Sequence, residues 1–258
     1  MSNLKVFLAE FIGTFALVFV GAGAGIVNAG LVGVALAHGF TLAVFAYVYG
    51  HISGSHVNPA VTFGLALNGT VKWAQAVVYW VAQFAGAILA AFLLQQLVRA
   101  VDPSITIEAG ATVGVLTDKS PVLAMLVEAI LTFFLVNTIL HTAVDGKGGQ
   151  FSGWAIGTTL AFAILAGGPF TGASLNPART FGPAIFSKPD FTNVYTYAIY
   201  FMGPLLGSTF AVFLFKYFKG EDEVVEDEII VEDVEVVEDE VIPVKAKKPA
   251  ARKKKSES

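Results

Sequence analysis

The sequence predicts an all-α membrane protein with six transmembrane helices, two re-entrant half-helices and an inverted internal repeat. Three observations lead to this fold class. The chain has a mean hydropathy of +0.69 and only 14% charged residues, whereas soluble domains average about 25%. It contains six long apolar windows, and the tripeptide Asn-Pro-Ala occurs twice.

The six apolar windows are candidate spans because about 20 apolar residues are needed to cross a bilayer. The first window continues past Glu10 without a distinct cleavage site, so it is interpreted as a span and not as a signal peptide. The windows cover residues 4–27, 32–50, 73–98, 121–143, 153–168 and 194–218.

The repeat is found from a constant offset of 118 residues. Asn58 aligns with Asn176 at this offset, and AEFIGTFALVF at 9–19 aligns with VEAILTFFLVN at 127–137. We therefore predict two homologous halves, 1–98 and 121–218, joined by a connecting loop at 99–120. Each half has three spans, and an odd number inserts the second half with opposite orientation, as in inverted-repeat transporters and channels.

Each Asn-Pro-Ala tripeptide is typical of a helix start, because Asn is a good N-cap and Pro suits the first turn. The apolar segment that begins at Asn58 ends near Leu67. Ten helical residues are about 15 Å long, half of a hydrocarbon core of about 30 Å. Two such half-helices, entering from opposite faces and meeting end to end, would form a seventh span. Two ordinary N-capped surface helices are the alternative.

With these features the chain resembles the aquaporins of the major intrinsic protein family. The resemblance covers about residues 1–218 and depends on GHISGSHVNPAVT (50–62), the AEFIGTF start and NPARTFG with its Arg179. It implies six tilted helices and two half-helices in each subunit, one pore per subunit and a homotetramer. The pore boxes would be Asn58, Pro59 and Ala60 in the first half, and Asn176, Pro177 and Ala178 in the second.

The two asparagines are expected to orient water at the pore centre. If each side-chain oxygen caps its own half-helix, the NH₂ group remains as a donor to a water oxygen, which interrupts a proton wire. Arg179 follows the second asparagine by about one helical turn and would add a permanent positive charge. An arginine bonded only to backbone carbonyls is the alternative interpretation.

Family spacing before the two boxes identifies the remaining positions of the aromatic/arginine filter as His38, Ile164 and Ala173, beside Arg179. This set resembles the tonoplast-intrinsic branch, which often passes ammonia, urea or hydrogen peroxide besides water. Glycerol facilitators have Asp after NPAR, where this chain has Thr180. His38 could also be a hydrogen-bonded core histidine, or could change permeability with pH.

Four more residues follow from the repeat. Glu10 and Glu128 are intramembrane acids that could relay protons or accept backbone N–H groups from the non-helical stretches before each box. The second interpretation is favoured by their symmetric placement and by the family resemblance. Gly39 and Gly157 are expected to permit a close helix crossing.

The charges outside the spans predict a charged C-terminal tail and the side of the membrane on which the termini lie. Residues 219–258 hold 8 Lys/Arg and 13 Asp/Glu, a composition that predicts a disordered tail. Lysines are more frequent on the side of the membrane that carries the termini, so both termini are predicted to be cytoplasmic.

The leading hypothesis is a passive channel in a lipid bilayer for water and small neutral solutes, excluding protons and ions. A secondary transporter and a structural membrane protein with an incidental pore are the alternatives. The chain has no cysteine, and its spans contain no catalytic triad or metal-ligand set. We predict neither an enzyme nor a metal, cofactor or nucleic-acid site.

Overall fold

The computed structural model describes residues 3–104 and 107–220. All regular elements within these residues are helical, and six helices are long and apolar enough to cross a membrane. The helices are α1 (Asn3–Ile26), α2 (Gly30–Ser53), α3 (Pro59–Asn68), α4 (Trp73–Val101), α5 (Pro121–Val144), α6 (Gly149–Thr171), α7 (Pro177–Ala184) and α8 (Val194–Lys219).

Two of the spans contain a π-helical turn and α6 begins with a 3₁₀ turn. The π turns are Leu140–Val144 at the end of α5 and Ala198–Met202 within α8. The 3₁₀ turn is Gly149–Phe151. The predicted six spans are thus confirmed, although α4 extends to Val101, beyond the predicted start of the connecting loop at 99.

The helix ends follow local sequence chemistry. α2 ends at Gly54, whose φ of 84° is accessible to glycine without steric cost, and α6 ends in the same way at Gly172 with φ 82°. Each half-helix has Asn at its N-cap and Pro at its first position. α7 has only eight residues, so the two half-helices differ in length.

Each half-helix packs against a long helix of the opposite half of the chain. α1 packs against α2 and α4, and α5 packs against α6 and α8. The half-helix α3 of the first half lies against α8 of the second, while α7 lies against α4 of the first. Each half-helix is therefore enclosed partly by the other half of the sequence.

α2 and α6 cross closely at two glycines. A Cβ on Gly39 would lie 2.6 Å from the carbonyl oxygen of Gly157, and a Cβ on Gly157 would overlap the carbonyl oxygen of Gly39. Real Cβ atoms do not approach carbonyl oxygens so closely, so the observed crossing requires glycine at both positions.

Large apolar side chains lie on the outer surface of the spans. Phe40 is 52% exposed and Phe162 is 64% exposed. Such a surface is compatible with hydrocarbon and not with water, and the chain is an integral multi-pass membrane protein. The predicted charged tail lies outside the described residues from position 221 onward.

Candidate functional site

Non-helical loops at 54–58 and 172–176 precede the two half-helices. Val57 has a φ of 45° and Leu175 a φ of 55°. The left-handed region costs a residue with a Cβ about 1–2 kcal/mol, so contacts elsewhere must hold these loops in place.

Glu10 of α1 holds the first loop. Its Oε1 accepts hydrogen bonds from Ser53 Oγ (2.6 Å) and His56 N (2.9 Å). Its Oε2 accepts from Val57 N (2.7 Å) and Gln83 Nε2 (2.8 Å). The carboxylate is fully buried, and two of its four bonds satisfy backbone N–H groups that no regular element satisfies.

Glu128 of α5 holds the second loop in the same way. Its Oε1 accepts from Thr171 Oγ1 (2.7 Å) and Ser174 N (2.9 Å), and its Oε2 accepts from Leu175 N (2.7 Å). These three donors lie 118 residues after their counterparts in the first loop. All the carboxylate oxygens of both acids are occupied by donors of the protein.

The two asparagines cap their own half-helices. Asn58 Oδ1 accepts from Ala60 N at 2.8 Å. Asn176 Oδ1 accepts from Ala178 N at 3.0 Å and from Arg179 N at 3.1 Å. The capping fixes both amide planes, so the Nδ2 groups point away from the half-helices.

Each Nδ2 group reaches across to the opposite loop. Asn58 Nδ2 donates to Leu175 O at 2.8 Å, and Asn176 Nδ2 donates to Val57 O at 2.8 Å. An amide NH₂ has two hydrogens, and these bonds use one from each asparagine. One hydrogen per asparagine is left for a ligand, where the sequence predicted that the whole NH₂ group would be left.

Three cavities follow one another through the helix bundle. The central cavity, about 50 Å³, is bordered by both asparagines, Val61, His38 and Arg179. The cavity on the side of the connecting loop, called the outer cavity, has about 160 Å³ and shares Arg179 with the central one. The cavity at the opposite end, called the inner cavity, has about 640 Å³ and shares His56 with the central one. The three cavities are therefore adjacent, and the smallest of them is the central one, which both asparagines border.

His38 and Arg179 meet at the outer end of the central cavity. Arg179 Nε donates to His38 Nε2 at 3.3 Å, and His38 Nδ1 lies 2.9 Å from Val34 O. Since Nε2 accepts from the arginine, the hydrogen of the neutral ring is on Nδ1 and is donated to Val34 O. Arg179 Nη1 is buried and has no hydrogen-bond partner among the described residues.

The other two predicted filter residues differ in their placement. Ile164 borders the outer cavity together with Arg179. Ala173 is buried with a φ of 43°, and its N–H donates to Thr171 Oγ1 at 3.1 Å. Ala173 is not among the residues that border the three cavities.

Several residues that support the loops were not identified from the sequence. Ser53 and Thr171 donate hydrogen bonds to the two buried acids and lie 118 residues apart. The offset of the repeat could therefore have identified both residues. Gln83 binds Glu10, but it is one of four glutamines in the apolar window 73–98, so the sequence does not single it out.

Comparisons with known proteins agree with this geometry. The sequence profile of the family described as Major intrinsic protein matches residues 1–215. The chain is 42% identical to Probable aquaporin TIP2-2 from Oryza sativa subsp. japonica, over 84% of this chain and 88% of that protein. It is 39% identical to Aquaporin TIP2-1 from Arabidopsis thaliana, over 86% and 91% of the two chains.

A solved structure has the same fold. The X-ray structure of the aquaglyceroporin from Plasmodium falciparum aligns with a TM-score of 0.72 and 27% identity, over 84% of this chain and 97% of that one. Together with the family match over residues 1–215, this places the sequence unambiguously. The chain belongs to the major intrinsic protein family.

Proposed function

We propose that this chain is a passive transmembrane channel for water that also admits small neutral solutes such as ammonia, urea and hydrogen peroxide. The observation that carries the proposal is the row of adjacent cavities, of which the smallest is bordered by the two asparagines and Arg179. The relatives from rice and Arabidopsis are aquaporins by name, which supports the same function.

The central cavity suits a short file of water. A water molecule needs about 10–15 Å³ of such space, so about 50 Å³ holds roughly three to five molecules. A water at the centre accepts the remaining amide hydrogens of Asn58 and Asn176. Its own hydrogens then point outward, which interrupts proton transfer along the file.

Positive potential opposes cations at the same place. The N-termini of α3 and α7 meet there, and each carries about half a positive charge from its helix dipole. Arg179 adds a full charge and a buried Nη1 that can donate to a passing molecule. The proposal assigns selectivity to His38, Ile164 and Arg179, which border the cavities, and includes Ala173 on family spacing alone.

The acids do not suit a coupled transporter. Glu10 and Glu128 are fully buried, their oxygens already accept hydrogen bonds, and neither borders the three cavities. A transporter would need a carboxylate that meets its coupling ion along the path. The contacts therefore support a scaffold role for both acids and favour passive permeation.

We further propose that the subunits form a homotetramer with cytoplasmic termini. In α2, 28% of the apolar window is buried within the subunit, against 44–50% in the other five spans. This additional apolar surface on α2 is available to a neighbouring subunit. The lysine bias of the termini and the inner loops supports the orientation.

Stopped-flow light scattering on proteoliposomes tests the channel. Wild-type vesicles should shrink faster than empty ones in an osmotic gradient, without dissipating a proton gradient. Val61→Phe fills the central cavity, where Val61 is 2% exposed, and should abolish the water flux. Val77→Phe is the matched control, because Val77 is 52% exposed on the outer surface of α4. Wild-type shrinkage no faster than empty vesicles would contradict the proposal.

A further inference from the structure

A chain of three buried hydroxyl groups connects the loop between the two halves to the second half-helix. Thr112 Oγ1 donates to Thr180 Oγ1 at 2.8 Å, and Thr180 Oγ1 contacts Ser174 Oγ. Ser174 Oγ donates to the carbonyl oxygen of Asn176 at 2.8 Å.

The direction of this chain is fixed by counting hydrogens. Each hydroxyl has one hydrogen, and that of Ser174 is used on Asn176 O. Thr180 must therefore donate to Ser174, which leaves its own oxygen to accept from Thr112. The chain runs from Thr112 through Thr180 and Ser174 to the backbone of Asn176, and such chains strengthen cooperatively.

The first half has a related but shorter arrangement, with a different first donor and with His56 in place of Ser174. Gln83 Nε2 donates to Thr62 Oγ1 at 2.9 Å, and Thr62 Oγ1 donates to the carbonyl oxygen of Asn58 at 3.1 Å. Thr62 corresponds to Thr180 in the repeat, but the position 118 residues after Gln83 is Phe201, which cannot donate. Thr112 thus provides from the connecting loop the hydrogen that a helix provides in the first half.

Thr112 also lies where the loop enters the pore. Its neighbours Ala111 and Val113 border the outer cavity together with Arg179. Just beyond them, the loop is bonded to the end of α6 through Val115 N to Pro169 O at 3.0 Å. A displacement of Thr112 would therefore move both the wall of the outer cavity and the half-helix that carries the arginine.

We propose that Thr112 is a positioning residue for selectivity, acting through the Thr112–Thr180–Ser174 hydroxyl chain. This inference depends on the proposed channel function. The hydroxyl of Thr112 holds the connecting loop against α7 and fixes the width of the outer mouth beside Arg179. Without its hydrogen bond the outer mouth becomes wider and less rigid. The permeability to solutes larger than water then rises more than the permeability to water.

Thr112→Val tests this inference. Its permeabilities to water and to urea are measured by stopped-flow light scattering in parallel osmotic and urea gradients. The variant keeps the shape of the side chain and loses the donor, so the ratio of urea to water permeability should rise about twofold or more. Thr112→Ser keeps the donor and should retain the wild-type ratio. Thr138→Val removes a similar contact, Thr138 Oγ1 to Thr159 Oγ1 at 3.1 Å, and should also retain it.

Thr180→Val breaks the chain at its next link and remains informative if Thr112→Val does not fold. It should raise the ratio similarly, and the double variant should equal either single variant, because one break already interrupts the chain. A wild-type ratio in folded Thr112→Val, or additive effects in the double variant, would overturn the inference. Wild-type vesicles no faster than empty ones would overturn the channel itself, which is a separate result.

Discussion

Glu10→Gln is predicted to destabilise the protein, and the hydrogen bonds of the first loop allow the size of the effect to be estimated. A glutamine has one oxygen where glutamate has two, so its NH₂ group must replace either Oε1 or Oε2. In the first case it faces His56 N–H, and in the second it faces Val57 N–H. Either orientation leaves one buried backbone donor without an acceptor.

The magnitude follows from this orphaned group and from the lost charge. A buried unsatisfied donor costs about 1–3 kcal/mol, and the remaining bonds weaken because charge-assisted hydrogen bonds are roughly twice as strong as neutral ones. We expect a total loss of about 3 kcal/mol. For a domain of this size 1 kcal/mol corresponds to about 2–4 °C, so the midpoint of thermal unfolding should fall by roughly 6–12 °C.

Circular dichroism of the purified protein in detergent measures this midpoint. Glu128→Gln should behave similarly, because either orientation of its amide faces Ser174 N–H or Leu175 N–H. Glu108→Gln is the matched control, since Glu108 is a half-exposed partner of Lys188 at 2.9 Å, and its midpoint should stay near the wild-type value. An unfolding midpoint of Glu10→Gln equal to that of this control would refute the reasoning.

Three further outcomes are expected. Gly157→Ala should lower the thermal midpoint and the yield of folded protein, because its Cβ overlaps a facing backbone oxygen, whereas Gly50→Ala, with nothing within 4 Å, should not; equal behaviour of the two variants would contradict the crossing. Water permeability should stay constant between about pH 5.5 and 8, because both ring nitrogens of His38 are already engaged; a transition in this range that His38→Ala removes would disprove it. The hydrogen bond from Lys219, with an N–O distance of 2.5 Å, holds the pKa of Asp145 below its usual value, so its stabilising contribution is present above the ordinary Asp pKa of about 3.9 and is lost as the pH falls further. Asp145→Asn should therefore lower the thermal midpoint at pH 7 and leave it unchanged at the acid end of the titration, and a difference that persists in acid would count against this assignment.

The sequence predicted the fold well because the repeat constrains it twice. The constant offset of Asn58 and Asn176 places two half-helices, and the apolar windows place six spans. Ser53 and Thr171 share this offset too, although neither was identified from the sequence. Even the engagement of the buried acids was foreseeable, since irregular backbone in hydrocarbon needs internal acceptors.

Contacts that break the symmetry could not be predicted in this way. The bond from Arg179 to His38 joins residues 141 positions apart, and no pattern in the sequence links them except family spacing. Thr112 lies in a loop without periodicity, and its contact with Thr180 depends on where that loop enters the bundle. Such contacts depend on tertiary placement, which local sequence does not encode.

The bonds between the two loops have a consequence for biogenesis. The amide of Asn58 finds its carbonyl partner 117 residues later in the chain, at Leu175. During synthesis the first half is therefore made before this acceptor exists. The hydrogen bond from Asn58 can form only after α6, the fifth span, and the loop that follows it have been made. The contacts between the two loops are thus formed late in synthesis, and the first half made alone lacks them.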